Sequence, residues 1–136
     1  RAATQYKMLI RGKLASGKGE GKKYLSEEKY IAQFEKALSF SPFPGTLNLV
    51  IEGKEREKFD ILRKTEGVKI SGFEKDGMKF GAVICFACMI NGNIRGAIVI
   101  PEKSCYENVI EIISNKNLRK TLLLNDGDEV CISVPD

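Results

Sequence analysis

The sequence contains no histidine. That removes the commonest general base, a common metal ligand and the usual near-neutral pH switch. Any general base must therefore be Asp, Glu or, less readily, Lys. No run of about 18 apolar residues occurs, so no segment is expected to span a membrane. No signal-peptide pattern is present. There is no GxxxxGK[ST] loop, no internal repeat and no low-complexity tract. Strands and helices do not alternate as βαβ units, which argues against a Rossmann or P-loop fold. Cys85 and Cys88 form a lone CxxC with no second pair. They lie in "FGAVICFACMI", which reads as a strand, where side chains three apart point to opposite faces. Zinc or redox chemistry is therefore not expected of them. They read as buried free thiols in a reducing cytoplasm.

What is present fits one globular domain. A chain of 136 residues with 43% hydrophobic residues is long enough to bury a core. The net charge of +4 suits an anionic ligand and is too small to mark a nucleic-acid binder. "YKMLIRGKLA" (6–15) alternates as a strand. "SEEKYIAQFEKALSF" carries Tyr30, Ile31, Phe34, Ala37 and Leu38 at helical, amphipathic spacing. Ser26 is its expected N-cap, Glu27 and Glu28 suit its first turn, and Pro42 and Pro44 stop it. "GTLNLVIEG" (45–53) reads as a short strand. Residues 54–67, "KEREKFDILRKTEG", read as an exposed turn with weak structure. Asp76-Gly77 signals a hairpin between "VKISGF" and "KFGAVICFACMI", and "NGN" (91–93) a second turn before "GAIVIP". "NVIEIIS" (108–114) is strand or helix, "NLRKTLLL" (117–124) a short helical turn, and "NDGDEVCISV" (125–134) a turn and a final strand. About six short strands and one clear helix near the N-terminus make a small, mainly β barrel with a helix attached.

Three segments carry candidate chemistry. "SGKGEGKKYLS" (16–26) interleaves Gly17, Gly19 and Gly21 with Lys18, Glu20, Lys22 and Lys23. Glycines let backbone N–H groups close around a phosphate, and the lysines add charge. A plain strand-to-helix linker is the alternative. In "FPGTLN" (43–48), Thr46 and Asn48 are two apart on a strand and face the same way. Their hydroxyl and amide oxygens are hard donors of the kind Mg²⁺ accepts, although neither is charged. An ordinary turn and strand is the alternative there. From Glu102 to Lys120, Ser104 is a hydrogen-bonding hydroxyl and Glu111 lies opposite its apolar neighbours if the segment is a strand. Arg119 and Lys120 face a phosphate or water.

Taken together, "SGKGEGKKYLS", "FSPFPGTLNL", "IRGAIVIP" and "LRKTLLLNDGDEV", in that order, resemble the archaeal CTP-dependent riboflavin kinases. The resemblance runs from about Leu9 to Val134. It implies a six-stranded Greek-key barrel of the cradle-loop type with one amphipathic helix near the N-terminus and short helical turns. It implies transfer of the γ-phosphate of CTP to the 5′-hydroxyl of riboflavin, giving FMN and CDP. By the same resemblance, Lys18, Gly19, Glu20, Gly21, Lys22 and Lys23 form a nucleotide-binding loop. Asn117, Leu118, Arg119 and Lys120 form a second nucleotide-contacting segment. Thr46 and Asn48 would hold Mg²⁺. Ser104 and Glu111 would contact the flavin, and Glu111 is also the carboxylate available as a base. Family members often carry Thr where Ser104 stands. Some carry an N-terminal helix-turn-helix domain, and a chain that starts at Arg1 is consistent with such a domain having been left out. The expectation is one riboflavin kinase domain over residues 1–136, a cytoplasmic monomer that binds riboflavin and CTP and neither membrane nor nucleic acid. The competing readings are a non-catalytic barrel that binds nucleotide, flavin or nucleic acid, and a kinase that uses ATP.

Overall fold

A computed structural model of the chain describes residues 6–16, 25–102 and 107–135. Nine strands and three helices occur among the described residues. In order they are β1 (Tyr6–Ala15), α1 (Glu28–Leu38), β2 (Leu47–Val50), α2 (Lys54–Arg63), β3 (Val68–Ile70), β4 (Phe73–Lys75), β5 (Met78–Phe80), β6 (Val83–Ile90), β7 (Ile94–Pro101), β8 (Val109–Ser114), α3 (Leu118–Thr121) and β9 (Glu129–Pro135). The main sheet runs β3-β6-β7-β8-β2-β1-β9, and β9 also pairs with β6. That last pairing closes six strands, β6-β7-β8-β2-β1-β9, into an antiparallel barrel. The mainly β, six-stranded expectation is borne out.

Alternation along the strands sorts side chains into the barrel or onto its outer wall. Ile10 and Leu14 of β1, Leu47 and Leu49 of β2, Ile110 and Ile112 of β8, and Val130, Ile132 and Val134 of β9 share the interior cluster. A second cluster lies between α1 and the outer wall. Tyr30, Phe34 and Leu38 of α1, spaced by four, pack there against Ile70, Val83, Cys85, Ala97, Val99 and Ile113. Phe34 is fully buried. Burying a side chain of that size contributes about 1.5–3 kcal/mol. The Tyr30 hydroxyl donates to the Gly81 carbonyl at 2.6 Å, and Gln33 and Ser71 exchange two hydrogen bonds of 3.0 and 2.7 Å.

The helix ends differ from the sequence expectation. The N-cap of α1 is Glu27, not Ser26, and it makes no side-chain cap bond. At the other end Ser39 turns left-handed (φ 63°) and its N–H closes on Glu35 O, so the helix stops at Leu38, four residues before Pro42. A larger correction concerns residues 54–67. They are not a weak turn: ten of them form α2. Phe59 and Leu62 insert from α2 into the barrel interior. Beyond the three residues where β1 pairs with β2, α2 also supplies partners to the β1 backbone. Glu55 Oε1 accepts from Arg11 N at 3.0 Å, and Lys58 Nζ donates to Leu9 O at 2.7 Å. A strand edge with unpaired N–H and C=O groups is thereby covered.

The Asp76-Gly77 turn joins β4 and β5, with both residues at positive φ (52° and 77°) as a type I′ hairpin requires. One step further out, β3 pairs with β6, so the predicted hairpin spans 68–85 with a break in it. "NVIEIIS" resolves as the strand β8. At Gly96 the neighbouring strand comes close: an added Cβ would stand 2.6 Å from the Ile113 carbonyl oxygen.

Cys85 and Cys88 behave as expected. Both are buried and free, and they belong to the outer and inner clusters respectively. Burial pushes the Cys85 thiol up to about 11 and the Cys88 thiol up to about 12. A raised folded-state pKa means that folded protein binds more protons than unfolded chain above pH 9, so these thiols favour folding below about pH 9 and lose that contribution as pH rises toward 11. Neither thiol is expected to react with an alkylating reagent at pH 8 until the protein unfolds. Peptide mapping after labelling, with and without denaturant, checks this. Labelling of Cys88 in native protein would contradict the packing.

Candidate functional site

The site stands on the outer face of β2 and β8. Asn48 pairs with Glu111 across these strands and with Ala15 of β1 on its other side. Leu47 and Leu49 point into the barrel, so Asn48 points out, and Glu111 sits likewise between buried Ile110 and Ile112. Thr46 directly precedes β2. Its Oγ1 lies 3.5 Å from Asn48 Oδ1 and 3.5 Å from Glu111 Oε1. Three half-buried oxygen-bearing side chains therefore meet, one of them a carboxylate. The period-two spacing of Thr46 and Asn48 held. Glu111, 65 residues from Thr46, joins them only through the β2–β8 register.

Thr46 also lines a cleft of about 90 Å³. Gly45, Ser114, Lys116, Asn117 and Arg119 line it too. The approach to it is fixed by Phe43 N, which donates to Ser114 O at 2.7 Å, and by Ser114 Oγ, which donates to Arg95 O at 2.9 Å. The cleft is smaller than the roughly 300–1,000 Å³ that encloses a drug-sized ligand. It suits part of one, such as a phosphate group. Asn117 caps α3: its side chain accepts from Lys120 N at 3.3 Å. Asn117, Leu118 and Arg119 line the cleft, whereas Lys120 is exposed and contributes its backbone N–H to the cap.

The structure thus brings together Thr46, Asn48, Glu111 and the 117–119 stretch, which the sequence offers as separate candidates. Lys18, Gly19, Glu20, Gly21, Lys22, Lys23 and Ser104 lie outside the described residues. Lys116 and Ser114 are cleft residues that sequence reasoning missed. Lys116 stands one position before Asn117 in "NKNLRK", and that adjacency was the available signal. Among the described residues, no group of three or more His, Cys, Asp or Glu could hold a metal ion. The donor set at Thr46, Asn48 and Glu111 is of another kind, all oxygen with a single charge. Such oxygens suit a hard divalent cation that takes its remaining ligands from water or phosphate.

A closed six-stranded barrel with an outer-wall oxygen cluster beside a basic cleft defines a small-barrel protein equipped for an anionic ligand. The comparisons specify it further. The family model described as "CTP-dep_RFKase: Domain of unknown function DUF120" matches residues 14–134. The chain belongs to this family. A protein named riboflavin kinase from Thermoplasma volcanium is 40% identical over 127 residues, which are 93% of this chain and 57% of that protein. One of the same name from Archaeoglobus fulgidus is 45% identical over 126 residues, 92% of this chain and 54% of that protein. For the Ignicoccus hospitalis riboflavin kinase the identity is 41% over 126 residues, with 92% and 70% covered. The chain spans little more than half the length of the first two. Among the described residues, no helix is long and apolar enough to cross a membrane.

Proposed function

We propose that residues 1–136 form one riboflavin kinase domain, which transfers the γ-phosphate of CTP to the 5′-hydroxyl of riboflavin. The observation that carries this reading is the meeting of Thr46, Asn48 and Glu111 at the edge of a cleft lined by Lys116, Asn117 and Arg119, in a chain of this family. Phosphoryl transfer asks a protein chiefly to position two substrates and to offset negative charge. Lys116 and Arg119 supply positive charge to nucleotide phosphates. The glycine-rich segment 18–23 adds backbone N–H donors and lysines for the phosphates in this reading. Thr46 and Asn48 hold Mg²⁺ in this reading, with the Glu111 carboxylate beside them, and their oxygen donors fit it. When bound, the ion offsets charge on the phosphate oxygens. Ser104 and Glu111 orient the flavin so that its 5′-hydroxyl points at the γ-phosphate. With no histidine in the chain, Glu111 is also the group placed to accept the hydroxyl proton. Discrimination of CTP from UTP requires acceptors for the cytosine amino group, and the family supplies that preference. The protein acts as a cytoplasmic monomer in this reading.

The test is incubation of the purified chain with riboflavin, Mg²⁺ and each of CTP, ATP, GTP and UTP, followed by chromatographic separation of riboflavin from FMN. FMN is expected with CTP and at most weakly with the others. FMN formed best with ATP would keep the kinase and replace the donor. A folded chain that forms no FMN with any donor would exclude the activity, and a barrel that binds without turnover would take its place.

A further inference from the structure

Arg119 lines the cleft, but its guanidinium is held from outside it. Nη2 donates to Asp126 Oδ1 at 2.6 Å and to the Ala15 carbonyl at 3.3 Å. The second oxygen of the same carboxylate, Asp126 Oδ2, accepts from Ser16 Oγ at 2.6 Å. One side chain thus bridges the cleft arginine and the residue at which β1 leads into the glycine-rich segment.

The backbone around Asp126 is fixed independently of that side chain. Gly127 N donates to Leu14 O at 2.7 Å, and Leu14 N to Asp128 O at 2.8 Å. Asn125 N donates to Asp128 Oδ2 at 2.8 Å, and Asp128 N to Asn125 O at 3.1 Å. Gly127 takes φ 90°, a conformation open to glycine. The turn therefore forms without the Asp126 carboxylate, which is exposed and contributes no core packing. A carboxylate in that position has no fold-building task in view, yet it makes two short charged or polar contacts.

We propose that Asp126 is a positioning residue for the nucleotide, fixing the Arg119 guanidinium at the cleft and tying it to the end of β1. The proposal rests on the kinase reading. Arginine presents a planar fork whose value for phosphate depends on its orientation. On a long exposed stem it samples many rotamers, and a carboxylate partner with a carbonyl beside it selects one. Removing Asp126 gives two opposed expectations. By net charge alone, losing an anion next to Arg119 strengthens attraction for phosphate. By positioning, it weakens binding. The sign of the effect therefore decides the matter.

The experiment compares the full chain with Asp126→Asn, Asp126→Glu and Ser16→Ala, measuring CDP and riboflavin binding by calorimetry and steady-state rates with CTP. For Asp126→Asn, CDP affinity and KM for CTP should worsen by roughly 10-fold, about what one hydrogen bond to a charged group is worth. Riboflavin affinity and the thermal midpoint should not move. Asp126→Glu should recover part of the loss, and Ser16→Ala should show a smaller one. Unchanged or tighter CDP binding by Asp126→Asn overturns the proposal and leaves the kinase reading standing. Absence of CDP binding by the unaltered chain overturns both.

Discussion

Replacing Thr46 by Val, or Asn48 by Ala, is expected to lower FMN formation by about 10²-fold, the scale on which loss of one preorganised charge-stabilising group slows a reaction. Thr46→Val keeps the shape of the side chain and deletes only the hydroxyl that lies 3.5 Å from both Asn48 and Glu111. Neither residue belongs to the buried core, so the melting curve should hardly change. Thr46→Ser, which keeps the oxygen, should retain most of the rate. Groups that act as a unit lose little more when both are removed, so the double variant should fall only slightly below either single one. Glu111→Gln separates two roles for the only charged member of the cluster. If the carboxylate mainly holds Mg²⁺, the variant needs more Mg²⁺ and its KM for riboflavin stays put. If it mainly contacts the flavin, KM for riboflavin rises and the Mg²⁺ requirement does not. Initial rates over a grid of Mg²⁺ and riboflavin concentrations read both. Unaltered turnover in Thr46→Val and Asn48→Ala would remove the pair from the site.

The second large effect is structural. Phe59→Ala should destabilise the fold by about 3–5 kcal/mol, the usual cost of deleting a buried aromatic ring. That corresponds to a fall in Tm of roughly 10–20 °C for a domain of this size. Phe59 is 1% exposed and fills the barrel interior alongside Leu62, with the Arg63 guanidinium 5.4 Å from its ring centre. Ile61, on the same helix but 57% exposed, is the control. Ile61→Ala should stay within about 0.5 kcal/mol, as surface substitutions do. Denaturant unfolding of both variants distinguishes a packed helix from a loosely attached turn, because the turn would give two small and similar effects.

That helix also shows where sequence reasoning stopped. In "KEREKFDILRKTEG" the buried face is two residues, Phe59 and Leu62, set among charges. So narrow an apolar stripe does not announce a helix. Its N-cap, Gly53, makes no side-chain cap bond and gives no start signal. One signal was present: Glu55 and Glu57 in the first turn and Arg63 in the last, an arrangement that suits the helix dipole. By contrast β1 matched its expected limits, because its alternation is a local property. The site divides in the same way. Thr46 and Asn48 share a face because strands have a period of two, and two residues suffice to see it. Glu111 reaches them through a register between strands more than sixty residues apart, and Arg119 comes to line the same cleft as Thr46 through the path of a loop. Neither is written in local spacing.

The order of strands around the barrel bears on how the chain is made. β1 shares three residue pairs with β2 and seven with β9. β6, at the other side of the seam, waits for the same final strand. A ribosome releases the chain from its N-terminus, so the first strand emerges long before its main partner exists. Until Glu129–Pro135 clears the exit tunnel, β1 and β6 both present open edges to whatever is nearby. Closure of the barrel therefore waits for the seven residues of β9. A chain that lacks β9 should keep the other five barrel strands and have no finished barrel.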